Sequence, residues 1–375
     1  MPPGLLHVQI KGKPNSLDIA HLAGVSQATV SRALRGHASV NRATRERILE
    51  VAKQLNYKVD KNASNLRTQQ SGTLALLLFE DPTVDESNIN PFFLSMLGSI
   101  TRACAQRGYD LLISFQQLSR DWHADYEDCH KADGLILLGY GDYLDYRSRL
   151  EALVAQGTHF VRWGAVLADQ PGLSIGGDND AGGLAATRHL LAQGRRRIGF
   201  LGHASLHAPE FLERYQGYAA ALREAGLTPD PLLQADAIST ESAGSEAANL
   251  VLERGARCDA LFAASDLIAI GAMRALFARG LRVPEDVAVV GYDDIPMAQS
   301  THPALTTVQQ DTRHAGELLV DALLRMVQGE AVQSIKLPPR LKVRQSCGAV
   351  LQPARAPATV TPLPEGTRRA RRHAR

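Results

Sequence analysis

The sequence predicts an all-α helix-turn-helix head on a two-lobed α/β body of doubly wound parallel sheets. Three observations carry this. Residues 16–58 hold helical caps and glycine stops but no strand-like run. From Gly72 onward, short apolar runs alternate with amphipathic helices, the pattern of parallel strands covered on both faces. That alternation runs to about Trp163 and restarts near Asn179, which gives two lobes. A chain of 375 residues, 45% hydrophobic and 21% charged, is long and apolar enough for two or three domains.

The head is justified residue by residue. Ser16 is the expected N-cap of a first helix, with Asp18 in its first turn and Leu17, Ile19, Ala20 and Ala23 as its apolar positions. Gly24 stands where that helix stops. Ser26 caps a second helix over 27–35, with Gly36 just beyond. Two helices around a tight glycine turn form a helix-turn-helix. The second helix exposes Gln27, Ala28, Thr29, Ser31 and Arg32 and buries Val30, Ala33 and Leu34. Gln pairs bidentately with adenine, Arg with guanine, and Ala or the Thr methyl touches a thymine methyl. The alternative is a helical hairpin with a polar outer face. A third helix over 42–55 closes a small core through Ile48, Val51, Ala52 and Leu55. A polar segment over 62–67 follows, with a single large apolar residue, Leu66.

In the body, strands are expected at TLALLLF, YDLLISF, ADGLILLGY and THFVRWG, with helices over 90–108 and 144–156. The second series places helices over 179–193, 209–225, 241–253, 266–279 and 312–328. Its strands are RIGFLG, LLQAD, DALFAAS and DVAVVGYDD, with short strands at 306–308 and near Ile335 and Leu341. Ligands of open parallel sheets sit beyond the carboxyl ends of the strands, so the cleft between lobes is the expected site. Gly182-Gly183 reads as close helix packing, because the glycine order fits no nucleotide fingerprint.

Charge is segregated. Residues 1–71 carry eleven Lys or Arg against four Asp or Glu, and 351–375 carry six Arg against Glu365. With an overall net charge of +2, residues 72–350 are left at net −10. A basic head on an acidic body suits a protein that touches phosphates at one end. No apolar run reaches the roughly eighteen residues of a membrane span, and the amino terminus lacks an apolar signal core. The four cysteines are scattered without metal-ligand spacing, which implies reduced thiols in the cytoplasm. No nucleophile elbow or phosphate loop appears, and no cofactor is implied. Asp121, His123, Asp125, Cys129 and His130 could make a metal site on paper, but without a second cluster a solvated loop is expected there.

The string SxATVSRALxG over 26–36, with the helices around it, resembles the DNA-binding head of the lactose-repressor (LacI/GalR) family. The resemblance continues through DNDAGGLAATRHLLAQGRRRIGFLG, ERYQGY, AASDLIAIGAMRALFARGLRVPEDVAVVGYDDI and HPALTTVQQD to about Gly348. It implies a body like the periplasmic sugar-binding fold, with crossings between lobes near 172–177, 301–306 and 333–338. It also implies a hinge helix whose Leu66 wedges into the minor groove, with Arg67 beside it. The hinge departs from the family at Val59-Asp60, where Pro-Asn is usual, and at Ser64, where an arginine is common. Ser16, Ser26 and Asn41 complete the candidate DNA contacts. The candidate effector residues are Arg214 and Asp293, matching a ligand-clamping arginine and a hydroxyl-accepting aspartate, with Ser265, Phe92 and Trp163. The competing readings are a surface salt bridge for Arg214 and core packing for Phe93; Asp266 is read as a helix cap, Asp294 as a cap or hinge contact. His203 and His207 are read as solvated or structural.

The domain boundaries expected are an extension over 1–15, the head over 16–58, hinge and linker over 59–71, the body over 72–349 and a disordered Arg-rich tail over 350–375. The implied protein is a cytoplasmic, homodimeric transcriptional regulator, a repressor, that binds a pseudo-palindromic operator under control of a small sugar. A sugar phosphate, a nucleobase or a protein co-regulator is the alternative effector. A solute receptor and a sugar-acting enzyme are the competing classes.

Overall fold

A computed structural model describes residues 14–34, 36–57, 70–79, 89–116, 120–139, 141–255 and 257–349. The expected hinge with Leu66 and Arg67, the tail from 350 and most of the amino-terminal extension lie outside these residues.

The head is three helices, α1 (Ser16–Ala23), α2 (Gln27–Leu34) and α3 (Arg42–Gln54). The cap of α1 is Asn15, one residue before the expected Ser16. Its Oδ1 accepts from Leu17 N at 2.8 Å and Asp18 N at 3.2 Å, and its own N–H donates to Asp18 at 2.8 Å. Only a cap three residues before Asp18 closes this reciprocal box, which decides between two good capping residues. Gly24 takes the left-handed conformation (φ 63°) that ends the helix. Ile19, Ala20, Ala23, Val30, Ala33, Val40, Ile48 and Ala52 form the core. Leu17, expected among the apolar contacts of α1, is 60% exposed, because it lies on the face opposite Ile19 and Ala23.

The body contains two six-stranded sheets. The first has the order β11-β5-β4-β3-β1-β2, all parallel, built from β1 (Thr73–Leu78), β2 (Asp110–Phe115), β3 (Leu135–Leu138), β4 (Phe160–Trp163), β5 (Leu173–Gly177) and β11 (Ile335–Leu337). The second has the order β12-β10-β9-β8-β6-β7, from β6 (Ile198–Leu201), β7 (Gln234–Ala235), β8 (Ala260–Ala263), β9 (Ala288–Asp293), β10 (Thr306–Gln309) and an antiparallel β12 (Arg340–Lys342). Strands are near-continuously buried, as helices on both faces require: Leu74 to Leu78 and Ala260 to Ala264 are almost wholly hidden. The flanking helices are α4 (Pro91–Gln106), α5 (Tyr143–Ala155), α6 (Asn179–Ala192), α7 (Pro209–Glu224), α8 (Glu241–Glu253), α9 (Asp266–Ala278) and α10 (Thr312–Val327).

Helix pairs in the second lobe touch backbone to backbone. A Cβ on Gly183 would lie 2.0 Å from Arg214 O, and one on Gly217 2.0 Å from Asp180 O, so α6 meets α7 only through glycine. Gly244 and Gly271 do the same for α8 and α9.

The chain changes lobe after β5, after β10 and after β11. The first and last crossings adjoin the expected positions. The second falls at 310–311 rather than 301–306, because β10 is a strand of the second sheet and the chain leaves it only to enter α10, which packs on α4 in the first lobe. The stretch expected as a solvated loop is a π-helical segment, His123–Asp128, whose Tyr126 is buried beside Trp122. Among the described residues no helix is long and apolar enough to cross a membrane, and no group of three or more His, Cys, Asp or Glu could hold a metal ion. The four cysteines are free.

Candidate functional site

Two surfaces carry the candidate residues. The first is the outer face of α2. Ser26 caps it, with Oγ accepting from Thr29 N at 3.2 Å and meeting Thr29 Oγ1 at 2.9 Å. Gln27, Ala28 and Arg32 are exposed, while Thr29 and Ser31 are half-buried at the edge of the same face. Ser16 does not cap α1; its Oγ accepts from Gln27 Nε2 at 2.8 Å, so it holds the side chain that opens the reading face. Asn41 caps α3, with Oδ1 accepting from Thr44 N at 2.8 Å. Arg45 was not foreseen. It braces the turn between α2 and α3 by donating to His37 O at 2.6 Å and Gly36 O at 3.1 Å.

The second surface is the cleft between the sheets, reached from the carboxyl ends of both. Arg214 and Asp293 meet there, almost fully buried, with Nη1 3.8 Å from Oδ1. Arg214 Nε donates to Asn179 Oδ1 at 2.9 Å, Nη1 donates to Ala264 O, and the guanidinium stacks 3.8 Å from the Tyr292 ring centroid. Gln310, at the second crossing, donates to Asp293 Oδ1 at 2.8 Å. Burial pushes the Asp293 carboxyl up to about 6; Arg214 and the Gln310 amide oppose that rise. Burial also raises Asp266 well above the usual carboxylate range, and the Asp293 charge adds to the rise. Asp293 sits at φ 113°, a conformation an L residue adopts only when its surroundings impose it.

The cap of α9 is Ser265 rather than the expected Asp266. Ser265 caps α9 by accepting from Ile268 N (3.3 Å) and also accepts from Ser239 Oγ at 2.8 Å. Asp266 instead ties α9 to its neighbours, accepting from Ile295 N and Thr307 Oγ1. Asp294 bonds Gln309 at 2.9 Å and Arg344 at 2.5 Å, next to the second crossing. Phe92 and Phe93 are buried in the first lobe's core. Phe92 lies edge-on to Phe93 and 6.0 Å from Trp163, and it also walls a 220 Å³ cavity shared with Asp293 and Gln310.

The larger compartment of the cleft, 290 Å³, is lined by Phe79, Asp142, His203, His207, Phe211 and Ile238 among others. The sequence reads both histidines as solvated or structural. His207 Nδ1 meets Asp142 Oδ2 at 2.7 Å across the lobes, and His203 stacks on His207 at 6.3 Å. Their place on the loop after β6 was the available signal. Further bonds join the lobes: Asn90 Nδ2 to Ser239 Oγ at 3.1 Å, Ala165 N to Glu210 Oε1 at 2.8 Å and Lys336 Nζ to Glu213 Oε1 at 3.1 Å.

Residues 17–60 match the family model described as bacterial regulatory proteins, lacI family, and 187–347 match a periplasmic binding protein-like domain. The chain is 32% identical over 345 residues to the HTH-type transcriptional regulator CelR of Thermobifida fusca, spanning 89% of this chain and 98% of that protein. It is 30% identical over 337 residues to the ribose operon repressor of Escherichia coli (strain K12), spanning 88% and 98%. Among solved structures, a CelR–cellobiose complex aligns with a TM-score of 0.67 at 32% identity over 89% of this chain and 99% of that one. The lac repressor dimer bound to operator and the anti-inducer ONPF aligns with a TM-score of 0.76 at 27% identity over 90% and 100%. A helix-turn-helix head and a two-sheet body, both matched in order along nearly the whole chain, make this protein a member of the lacI family of DNA-binding transcriptional regulators.

Proposed function

We propose that this chain is a cytoplasmic homodimeric repressor whose grip on a pseudo-palindromic operator is set by a neutral sugar bound between its lobes. One head covers one half-site, so two copies are needed. In the head, Gln27, Ala28, Thr29, Ser31 and Arg32 read base edges. Ser16, Ser26 and Asn41 position that face, and Leu66 and Arg67 engage the minor groove. In the body, Arg214 and Asp293 hold vicinal hydroxyls, and Phe92 and Trp163 form the apolar wall behind them.

The observation that carries the sugar reading is the buried Arg214–Asp293 pair at the hinge side of the cleft, tied by Gln310 to a lobe crossing. A planar donor fork beside a carboxylate acceptor suits adjacent hydroxyls. The relatives that bind cellobiose or govern a ribose operon support the same class.

The test is a thermal-shift screen of the full chain against cellobiose, ribose, glucose, their phosphates and purine bases, followed by operator titrations with and without each hit. A neutral sugar at one hundred times its Kd stabilises by about 2.7 kcal/mol and changes operator affinity. Stabilisation by phosphates or purines alone overturns the sugar reading.

A further inference from the structure

We propose that a small polar chamber in the first lobe, formed by Gln116, Tyr143 and Arg162, receives one hydroxyl of the effector and excludes a phosphate at that position. The proposal rests on the sugar reading above and names the feature of the sugar that is selected.

The chamber is a 20 Å³ cavity whose walls include Gln116, Tyr143, Tyr146, Arg162, Trp163 and Glu210. It shares Phe79, Gly141 and Glu210 with the 290 Å³ compartment, so the two spaces adjoin and a hydroxyl of a sugar in the larger one has a place to enter. Gln116, Tyr143 and Arg162 are 3%, 5% and 5% exposed. Among the described residues, Gln116 Oε1 and Tyr143 Oη are buried without a hydrogen-bond partner. The rest of Gln116 is committed: Nε2 donates to Leu77 O at 2.9 Å and its backbone carbonyl accepts from Trp122 Nε1 at 3.0 Å. Tyr146 lines the same chamber.

Arg162 is held rigidly. Nε donates to Ser174 Oγ and Nη2 to Ala165 O, each at 2.8 Å, and the guanidinium lies 5.0 Å from the Tyr143 ring centroid. Nη1 lies beside Gly164, where a Cβ would sit 3.0 Å from it and 2.9 Å from Glu210 Oε1. Glycine here keeps that wall open.

Two orphaned buried atoms of opposite character define the occupant. Leaving either unpaired is costly, so a group that satisfies both is favoured. Oε1 only accepts, while the phenol can donate. The guest must therefore donate to one and accept from the other, and a hydroxyl does both. A phosphate dianion or a carboxylate only accepts; Arg162 would attract it, but it would leave Oε1 unpaired, would meet the Glu210 carboxylate and, for a phosphate, exceeds the space. Size agrees, because one water needs about 10–15 Å³ and a phosphate needs several times that.

The experiment is titration calorimetry of the full chain with glucose, ribose and cellobiose, their monodeoxy forms and their phosphates, on the wild type and on Tyr143→Phe. The expected result is one position at which the deoxy sugar binds the wild type about five- to tenfold more weakly. A phosphate at that position abolishes binding. Tyr143→Phe weakens the parent sugar and narrows the difference between parent and deoxy sugar, the remainder being the bond to Gln116 Oε1. Should wild type and variant bind every sugar alike, the chamber holds a water only; the proposal then fails while the sugar reading stands. Phosphates or purines binding in place of neutral sugars overturns both. Should the variant fold poorly, a crystal structure of the wild-type sugar complex decides. A sugar hydroxyl within hydrogen-bond reach of Tyr143 Oη supports the proposal, and an ordered water there with the sugar elsewhere overturns it.

Discussion

Asp293 shows how much a single residue carries. Its carboxyl is pushed up to about 6 by burial, above the ordinary 3.8. Between those values the folded chain holds a proton that the unfolded chain has released. This group's contribution to stability is therefore present at low pH and is lost as pH rises through about 6. Sugar binding runs the other way, because hydroxyls need the ionised acceptor. Affinity is expected to fall as pH drops from 7 to 5, and Asp293→Asn should bind more weakly with a flat profile; calorimetry across that range checks both. In the head, Arg32→Ala is expected to lose about 1–3 kcal/mol of discrimination at one base pair, read by anisotropy on operator variants. Equal weakening on every sequence would make Arg32 a phosphate contact. Arg214 and Asp293 were legible because a known pattern surrounds them. Ser265 and Asp266 were not, because either residue can cap a helix and only the packed strands show which one does.

At the scale of elements, glycine decides where helices can sit. Gly183 lets α6 lie on the carbonyl of Arg214 itself. Gly183→Ala is expected to cost roughly 3 kcal/mol and to displace Arg214, so sugar affinity falls along with stability, measured by urea unfolding and calorimetry. The pair Gly182-Gly183 could be read as a packing device from sequence, since its spacing fitted no phosphate loop. The α1 cap was misplaced by one residue because Asn and Ser cap about equally well; only the bond back from Asp18 separates them. Asn15→Ala should cost about 1 kcal/mol in the head, visible as faster hydrogen exchange in α1.

Across the whole molecule, the basic head and acidic body suit the division proposed above, a polyanion at one end and a small ligand at the other. Whatever factor the sugar applies to operator affinity, the operator must apply to sugar affinity, and paired titrations should return the same number. The two-sheet architecture was legible from apolar runs alone. The mouth of the cleft was not: Asp142 and His207 are 65 residues apart, and no periodicity brings such loops together. The second crossing was misplaced for a related reason, since a strand's sheet membership depends on partners distant in sequence.

The bonds that join the lobes have a consequence for timing. Arg214 and Asp293 are 1% and 3% exposed, and Asn90, Asp142, Ala165 and Lys336 each bond the facing lobe. Entry of a sugar to this pair is expected to require the lobes to part first. In stopped-flow mixing the observed rate should level off as sugar is raised, and the plateau is the opening rate of the cleft. Above that concentration a cell would gain no speed from more sugar, and the lag before transcription changes would be a clock set by the protein.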